Sequence, residues 1–165
     1  MLTYECVIYS PQGIDECFEW WPHDPSRFAD EIESLLRDPG FVDGHECVAL
    51  KVWRAPEGQF PSDFPARAIV KETYLRCRGA HQAMIVESRV TRPDRTFDHY
   101  IASRMPVADP AAWESVTWLG KDGDICSVDV HPEEVFTGEQ AVPIFRAYIE
   151  QQEFPSRVQW RRVGD

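Results

Sequence analysis

Hydrophobic and polar positions repeat with two periods along this chain. Period 3.6 governs two stretches. After Asp24-Pro25, Phe28, Ile32, Leu35 and Leu36 form one apolar stripe, with Asp30, Glu31 and Glu33 outside it. Asp24 suits an N-cap and Pro25 the first helical position, Glu33 can pair with Arg37 one turn on, and Pro39-Gly40 ends the helix. The second stretch runs over 137–154. Thr137 and Gln140 have capping-box spacing, and Ala141, Ile144, Phe145, Tyr148 and Ile149 follow as a stripe. Glu139, Arg146, Glu150, Gln151 and Glu153 fall largely on the other side. Pro143 belongs in or near the first turn, and Pro155 is expected to stop the helix.

Period 2 governs most of the remainder. Thr3–Tyr9 alternates Tyr4, Cys6 and Ile8 against Glu5, Val7 and Tyr9, and Ser10-Pro11-Gln12-Gly13 turns the chain. Cys17–Trp21 reads as a short strand or an irregular aromatic segment. Cys47–Arg54 is a strand with Val48, Leu50 and Val52 on one face, and Ala55–Pro65, with three prolines and a glycine, is a loop. Three strands follow, Ala68–Cys77, Gln82–Val90 and Thr96–Ser103, joined by turns at Arg78-Gly79-Ala80-His81 and Arg92-Pro93-Asp94-Arg95. After a loop at Met105–Pro110, Ser115–Leu119 and Ile125–Val130 form a hairpin about Asp122-Gly123. Arg157–Val163 closes the chain as a strand, with Val158 and Trp160 on one face and Arg157, Gln159 and Arg161 on the other. Strands clustered between two helices predict an α+β fold: a mainly antiparallel sheet of about six to eight strands with two helices packed on it, in a single domain.

The C-terminal helix and strand also resemble a known family. Glu139-Gln140, Phe145, Tyr148, Pro155, Val158 and Trp160 make a capped helix, a Pro-containing turn and a final V-x-W strand. This arrangement resembles the C-terminus of the first-numbered family of bacterial immunity proteins, which includes inhibitors of deaminase toxins. The likeness covers the last quarter of the chain. It implies a function by binding: occlusion of a cognate toxin's active site.

Charge sharpens that expectation. The 165 residues carry a formal charge of -11, which disfavours nucleic acid and anionic membranes as ligands and favours a basic partner. Residues 1–44 hold ten acids and two bases, residues 45–108 seven acids and ten bases, and residues 109–165 eleven acids and five bases. Both ends are acidic and the middle is mildly basic; ends packed side by side would make one acidic face. Five cysteines (Cys6, Cys17, Cys47, Cys77, Cys126), with no C-x-x-C, read as buried free thiols of a reducing cytoplasm. The N-terminus shows no signal-peptide pattern, and no segment has the length of a membrane span.

Catalytic signals are weak. G-x-G-x-x-G, Walker A and G-x-S-x-G are absent, and the five histidines are scattered. His45-Glu46-Cys47 superficially resembles part of a zinc-deaminase pattern but lacks the following P-C-x-x-C; a strand edge accounts for it. Asp122-Gly123-Asp124 could open a calcium loop, with Glu133-Glu134 as the nearest closing acids, but a hairpin turn with solvated acids is the stronger account. Cys17, with Glu19 and His23 nearby, sits among acids that would raise a thiol pKa. No cofactor or metal is expected.

The segment Asp109–Glu139 is the stronger signal. It interleaves Trp113 and Trp118 with eight acids against Lys121. Acids steer encounter with a basic protein and aromatic residues anchor it. Trp118, Asp122, Asp124, Asp129, Glu133 and Glu134 are therefore the expected contacts with a toxin, and Glu19-Trp20-Trp21 repeats the combination. The competing expectation is a small-molecule-binding or enzymatic domain with a pocket between sheet and helices. The oligomeric state is not readable from the sequence.

Overall fold

A computed structural model describes residues 2–20 and 24–164. Along the chain the elements are β1 (Tyr4–Ser10), β2 (Gly13–Trp20), α1 (Pro25–Arg37), β3 (Ala49–Arg54), β4 (Tyr74–Ala80), β5 (Ala83–Thr91), β6 (Phe97–Ser103), β7 (Glu114–Leu119), β8 (Ile125–Val130), α2 (Gly138–Glu150) and β9 (Gln159–Arg162). Seven strands form one antiparallel sheet in the order β2-β1-β3-β4-β5-β6-β9, and β7 and β8 pair separately. The fold is α+β, with two helices on the main sheet.

Period-2 alternation gives that sheet two chemically different faces. Tyr4, Cys6, Ile8, Leu50, Val52, Leu75, Cys77 and Val86 point to the helices, meeting Phe28, Ile32 and Leu36 of α1 and Ile144, Phe145 and Ile149 of α2. Val158 and Trp160 pack on the same core, on the face their alternation assigns them. Tyr4 adds a polar tie, its hydroxyl donating to the Ile149 carbonyl at 2.5 Å. The opposite face has two separate covers. Segment 61–72 lies over Val7, Trp53 and Tyr74 through Phe64 and Val70. The β7–β8 hairpin lies over Ile85 and Ile101 through Val116 and Val130.

The helix caps match the sequence. Asp24 accepts from the Ser26 amide, and Thr137 and Gln140 close a reciprocal capping box at 3.2 and 2.9 Å. Glu33 pairs with Arg37 and also with Arg146 of α2, which further binds Asp30 and Glu150. The acidic ends of the chain meet through their helices, through Tyr4 on Ile149 and through Leu119 on Gly44, while their strands β2 and β9 lie on opposite edges of the sheet.

Strand β2 starts at Gly13 rather than Cys17, and four further features differ from expectation. Residues 69–72 form a 3-10 turn, so β4 starts at Tyr74 rather than Ala68. Gly79 continues β4 at φ +126°, a conformation open to glycine, and the turn falls at His81-Gln82. Helix α2 ends at Glu150 because Gln151 turns left-handed at φ 56°, before Pro155 is reached. Pro143 sits at the sixth helical position rather than in the first turn; the carbonyl that its missing N–H would have served belongs to exposed Glu139.

The two helices meet at Gly138. A Cβ there would lie 2.0 Å from the Leu36 carbonyl oxygen and 2.7 Å from His81 Cδ2. We expect Gly138→Ala to destabilise the protein by about 2 kcal/mol, within the range for overpacking a tight contact, read as a lower urea midpoint at unchanged m-value.

Candidate functional site

Three loops gather at one end of the sheet: the β1–β2 turn, the 43–47 loop and the tip of the β7–β8 hairpin. Each is fixed by hydrogen bonds. Asp43 Oδ1 accepts from the amides of His45, Glu46 and Cys47 at 2.8, 2.8 and 3.1 Å. Burial opposes ionisation of Asp43, but these donors outweigh it and hold its pKa below the ordinary value. The Leu119 amide donates to the Gly44 carbonyl at 2.7 Å, pinning the hairpin to that loop. At the tip, Asp122 (φ 61°) and Gly123 (φ 80°) both turn left-handed, as the Asp-Gly pair predicts.

These loops surround a cavity of about 220 Å³ lined by Tyr9, Ser10, Arg76, Arg78, Trp118 and Lys121, among others. Ile14 (64% exposed) and Ile125 (67% exposed) each stand one residue from a lining residue. Asp15, Glu16, Glu46, Asp122 and Asp124, on the same three loops and the start of β2, are exposed.

Beneath the cavity runs a row of charges across the sheet. Lys51 on β3 pairs in register with Arg76 on β4, and Arg76 with Glu87 on β5. Glu87, 1% exposed in its side chain, accepts from Arg76 Nε at 3.0 Å and from Arg78 Nε and Nη2 at 2.7 and 2.5 Å. His99 Nε2 stands 3.2 Å from its Oε1. Burial alone would raise the pKa of Glu87; His99 and the two arginines reverse this and hold it at about 2. Lys51 is buried between the Tyr9 and Tyr74 rings, donates to the Lys71 carbonyl at 3.3 Å, and is pushed below the usual lysine pKa by that burial.

The structure divides the six residues expected to contact a toxin. Asp122 and Asp124 are exposed at the hairpin tip, and Asp129 is exposed farther along β8, accepting from Ser115 Oγ at 2.6 Å. Trp118 faces inward, half-buried, with its ring 4.7 Å from the Arg78 guanidinium, so it is a cavity wall rather than an outer anchor. Glu133 and Glu134 follow the far end of β8, about 20 Å from the tip at the usual rise per residue. Glu134 is fully buried, taking Arg161 at 2.6 and 2.9 Å and the His131 amide at 2.7 Å; Glu133 accepts the Ala108 amide at 3.2 Å. Trp113 is exposed, but it stacks on His131 at that far end.

Other expected features are placed as follows. Trp20 stacks on Phe28, its ring centroid 5.9 Å away, beside the core. Trp21 and His23 lie outside the described residues. Cys6, Cys47 and Cys77 are buried thiols, Cys126 is half-buried and Cys17 exposed. Core side chains fill most of the space between sheet and helices. Two hollows border α2, one of about 500 Å³ beside Phe136 and Pro143 and one of about 640 Å³ between Ala147 and Tyr148 of α2 and the strand ends at Arg54 and Thr91. Among the described residues no group of three or more His, Cys, Asp or Glu could hold a metal, and no helix is long and apolar enough to cross a membrane. Ile14 and Ile125 were missed because single apolar residues beside turns look like ordinary strand positions. The Lys51–Arg76–Glu87 row depends on strand register, which no local pattern reports.

Compared with protein-family models, curated proteins and solved structures, the chain has no match.

Glu87 yields a sharp test. Replacing it with Gln leaves two largely buried guanidinium groups without their shared carboxylate, and we expect Glu87→Gln to cost about 3 kcal/mol. Its folded pKa lies below the unfolded value, so its stabilisation is complete above about pH 4.5 and fades as pH falls toward about 2. In denaturation series from pH 6 to 2, the difference between wild type and variant should shrink toward the acid end.

Proposed function

We propose that this chain is an immunity-type inhibitor that binds a basic bacterial toxin domain and neutralises it by covering the toxin's active site. The observation that carries the reading is the loop end. There, Asp122 and Asp124 stand exposed on a hairpin tip, beside the exposed side chain of Ile125. Asp15 and Glu16 beside Ile14 repeat the pattern on the neighbouring turn. Exposed carboxylates steer a cationic partner in, and apolar side chains among them supply the area that desolvates on contact.

The C-terminal resemblance supports the reading from the side of the scaffold. Phe145, Val158 and Trp160 hold α2 and the end of the chain on the core, and Tyr148 packs with them. They are framework residues, so the resemblance speaks for the helix–strand unit, and the contact surface is argued from the loops. Asp122 and Asp124 remain in that surface, and Asp129, exposed near the other end of β8, lies outside it. Trp118, Glu133 and Glu134 leave it, because they serve the fold.

The test uses the toxin domain encoded by the neighbouring reading frame. Co-expression should restore growth, and the purified pair should associate at a rate that falls with salt. Reversing both Asp122 and Asp124 to Lys should lower the association rate about tenfold at low salt and flatten its salt dependence, while thermal stability stays near wild type. Unchanged rate and unchanged protection would remove this surface from the mechanism; failure of the wild-type protein to bind or protect would remove the function.

A further inference from the structure

We infer that the cavity between the β7–β8 hairpin and the main sheet is a binding site for a small organic phosphate. Its cationic floor has more positive charge than its own carboxylate neutralises. Glu87 binds Arg78 through two nitrogens but takes only the Nε edge of Arg76, and it is the carboxylate that faces both. On the neighbouring rows, Glu5 pairs with Lys71 at 3.9 Å, and Glu72 and Glu5 both oppose the loss of charge on Lys51. Among the described residues, that leaves one guanidinium charge unmatched at the floor. The Lys121 ammonium adds a second charge at the rim, on an exposed side chain. Asp122 and Asp124 on the tip, Asp15 and Glu16 at the start of β2 and Glu46 on the 43–47 loop are exposed to solvent around the mouth, where water screens them, and none of them is among the residues lining the cavity.

Two positive charges at one cavity suit a dianion. Arginine edges match the oxygens of phosphate in pairs, and the carboxylate that holds their Nε atoms fixes their planes before any ligand arrives. Tyr9 and Trp118 supply aromatic walls, and Ser10 a hydroxyl at the mouth. About 220 Å³ holds a phosphate together with a small planar organic group. The proposed ligand is therefore a phosphate monoester whose organic part lies between Tyr9 and Trp118. This inference does not rest on the toxin-binding reading, because the protein alone is titrated.

Phenyl phosphate, inorganic phosphate and benzoate are the probes, at ionic strength held constant with sodium chloride. Phenyl phosphate should change tryptophan fluorescence saturably, with a Kd of about 1 mM or tighter. Inorganic phosphate should bind more weakly for want of the aromatic contact, and benzoate more weakly still for want of the second charge. Lys121→Glu lies on an exposed loop and should weaken phenyl phosphate about tenfold without lowering the thermal midpoint. Arg76→Gln keeps the Arg78–Glu87 pair and should weaken it further; if that variant fails to fold, Lys121→Glu still decides. Absence of saturable binding by all three probes, equal affinity in Lys121→Glu, or the same response to added chloride would each overturn the proposal.

Discussion

The Glu87 carboxylate is the constraint on which the non-helical face of the sheet depends. A seven-stranded sheet covered on both sides has central rows that water reaches poorly. Cations there are tolerable only beside an anion with good geometry, since desolvation otherwise exceeds the attraction regained. Glu87 meets that condition, with its side chain 1% exposed and three nitrogen donors from Arg76 and Arg78 on its two oxygens. The apolar covers can then stop short of each other, segment 61–72 at Trp53 and Tyr74 and the hairpin at Ile85 and Ile101. The gap between them is polar, and it opens toward the three gathered loops.

Helix packing determines where those loops go. Gly138 lets the start of α2 abut the end of α1, and its amide donates to the His81 carbonyl at 2.8 Å. His81 in turn donates its own amide to the Val42 carbonyl at 2.6 Å, and Met84 and Phe136 exchange two bonds of 2.8 Å. The β4–β5 turn, the 43–47 loop and the approach to α2 are thereby tied together. With Leu119 bound to Gly44, the β7–β8 hairpin joins the same frame. The candidate surface is thus attached to the most buried part of the molecule.

Local signals carried the parts of this fold that local physics decides. Caps at Asp24 and Thr137, stripes at three- and four-residue spacing, and Asp122-Gly123 between alternating runs each act within a few residues of chain. Where two local readings compete, tertiary contacts choose. Ala68–Thr73 alternates well enough for a strand, yet its backbone turns so that Lys71 reaches Glu5 and the Trp53 ring. Gly79 looks like a turn residue and lies in a strand, paired in register with Met84 on one side and donating its amide to the Val48 carbonyl on the other. The candidate site was half legible. The tip acids could be read directly, but Trp118 and Glu134 carry the same letters as surface residues and owe their burial to Arg78 and Arg161. One clue was available: a single Glu in the apolar run Met84-Ile85-Val86-Glu87 demands a buried cation opposite it.

Rigidity at the loop end bears on how tightly any partner can be held. Ordering a flexible loop on contact uses up part of the binding free energy, roughly 0.5–1.5 kcal/mol for each immobilised side chain. Here the ordering is already done. The Asp43 carboxylate fixes three successive amides, the hairpin tip closes through Gly120 and Asp124 at 2.6 Å, and Leu119 anchors it to Gly44. What remains mobile are short side chains, since Asp122, Asp124 and Ile125 have few rotatable bonds. A surface of this kind gains its rate from charge and loses little on docking. On the proposed reading, lengthening the tip or freeing Asp43 would weaken binding without removing any of the residues placed in the contact.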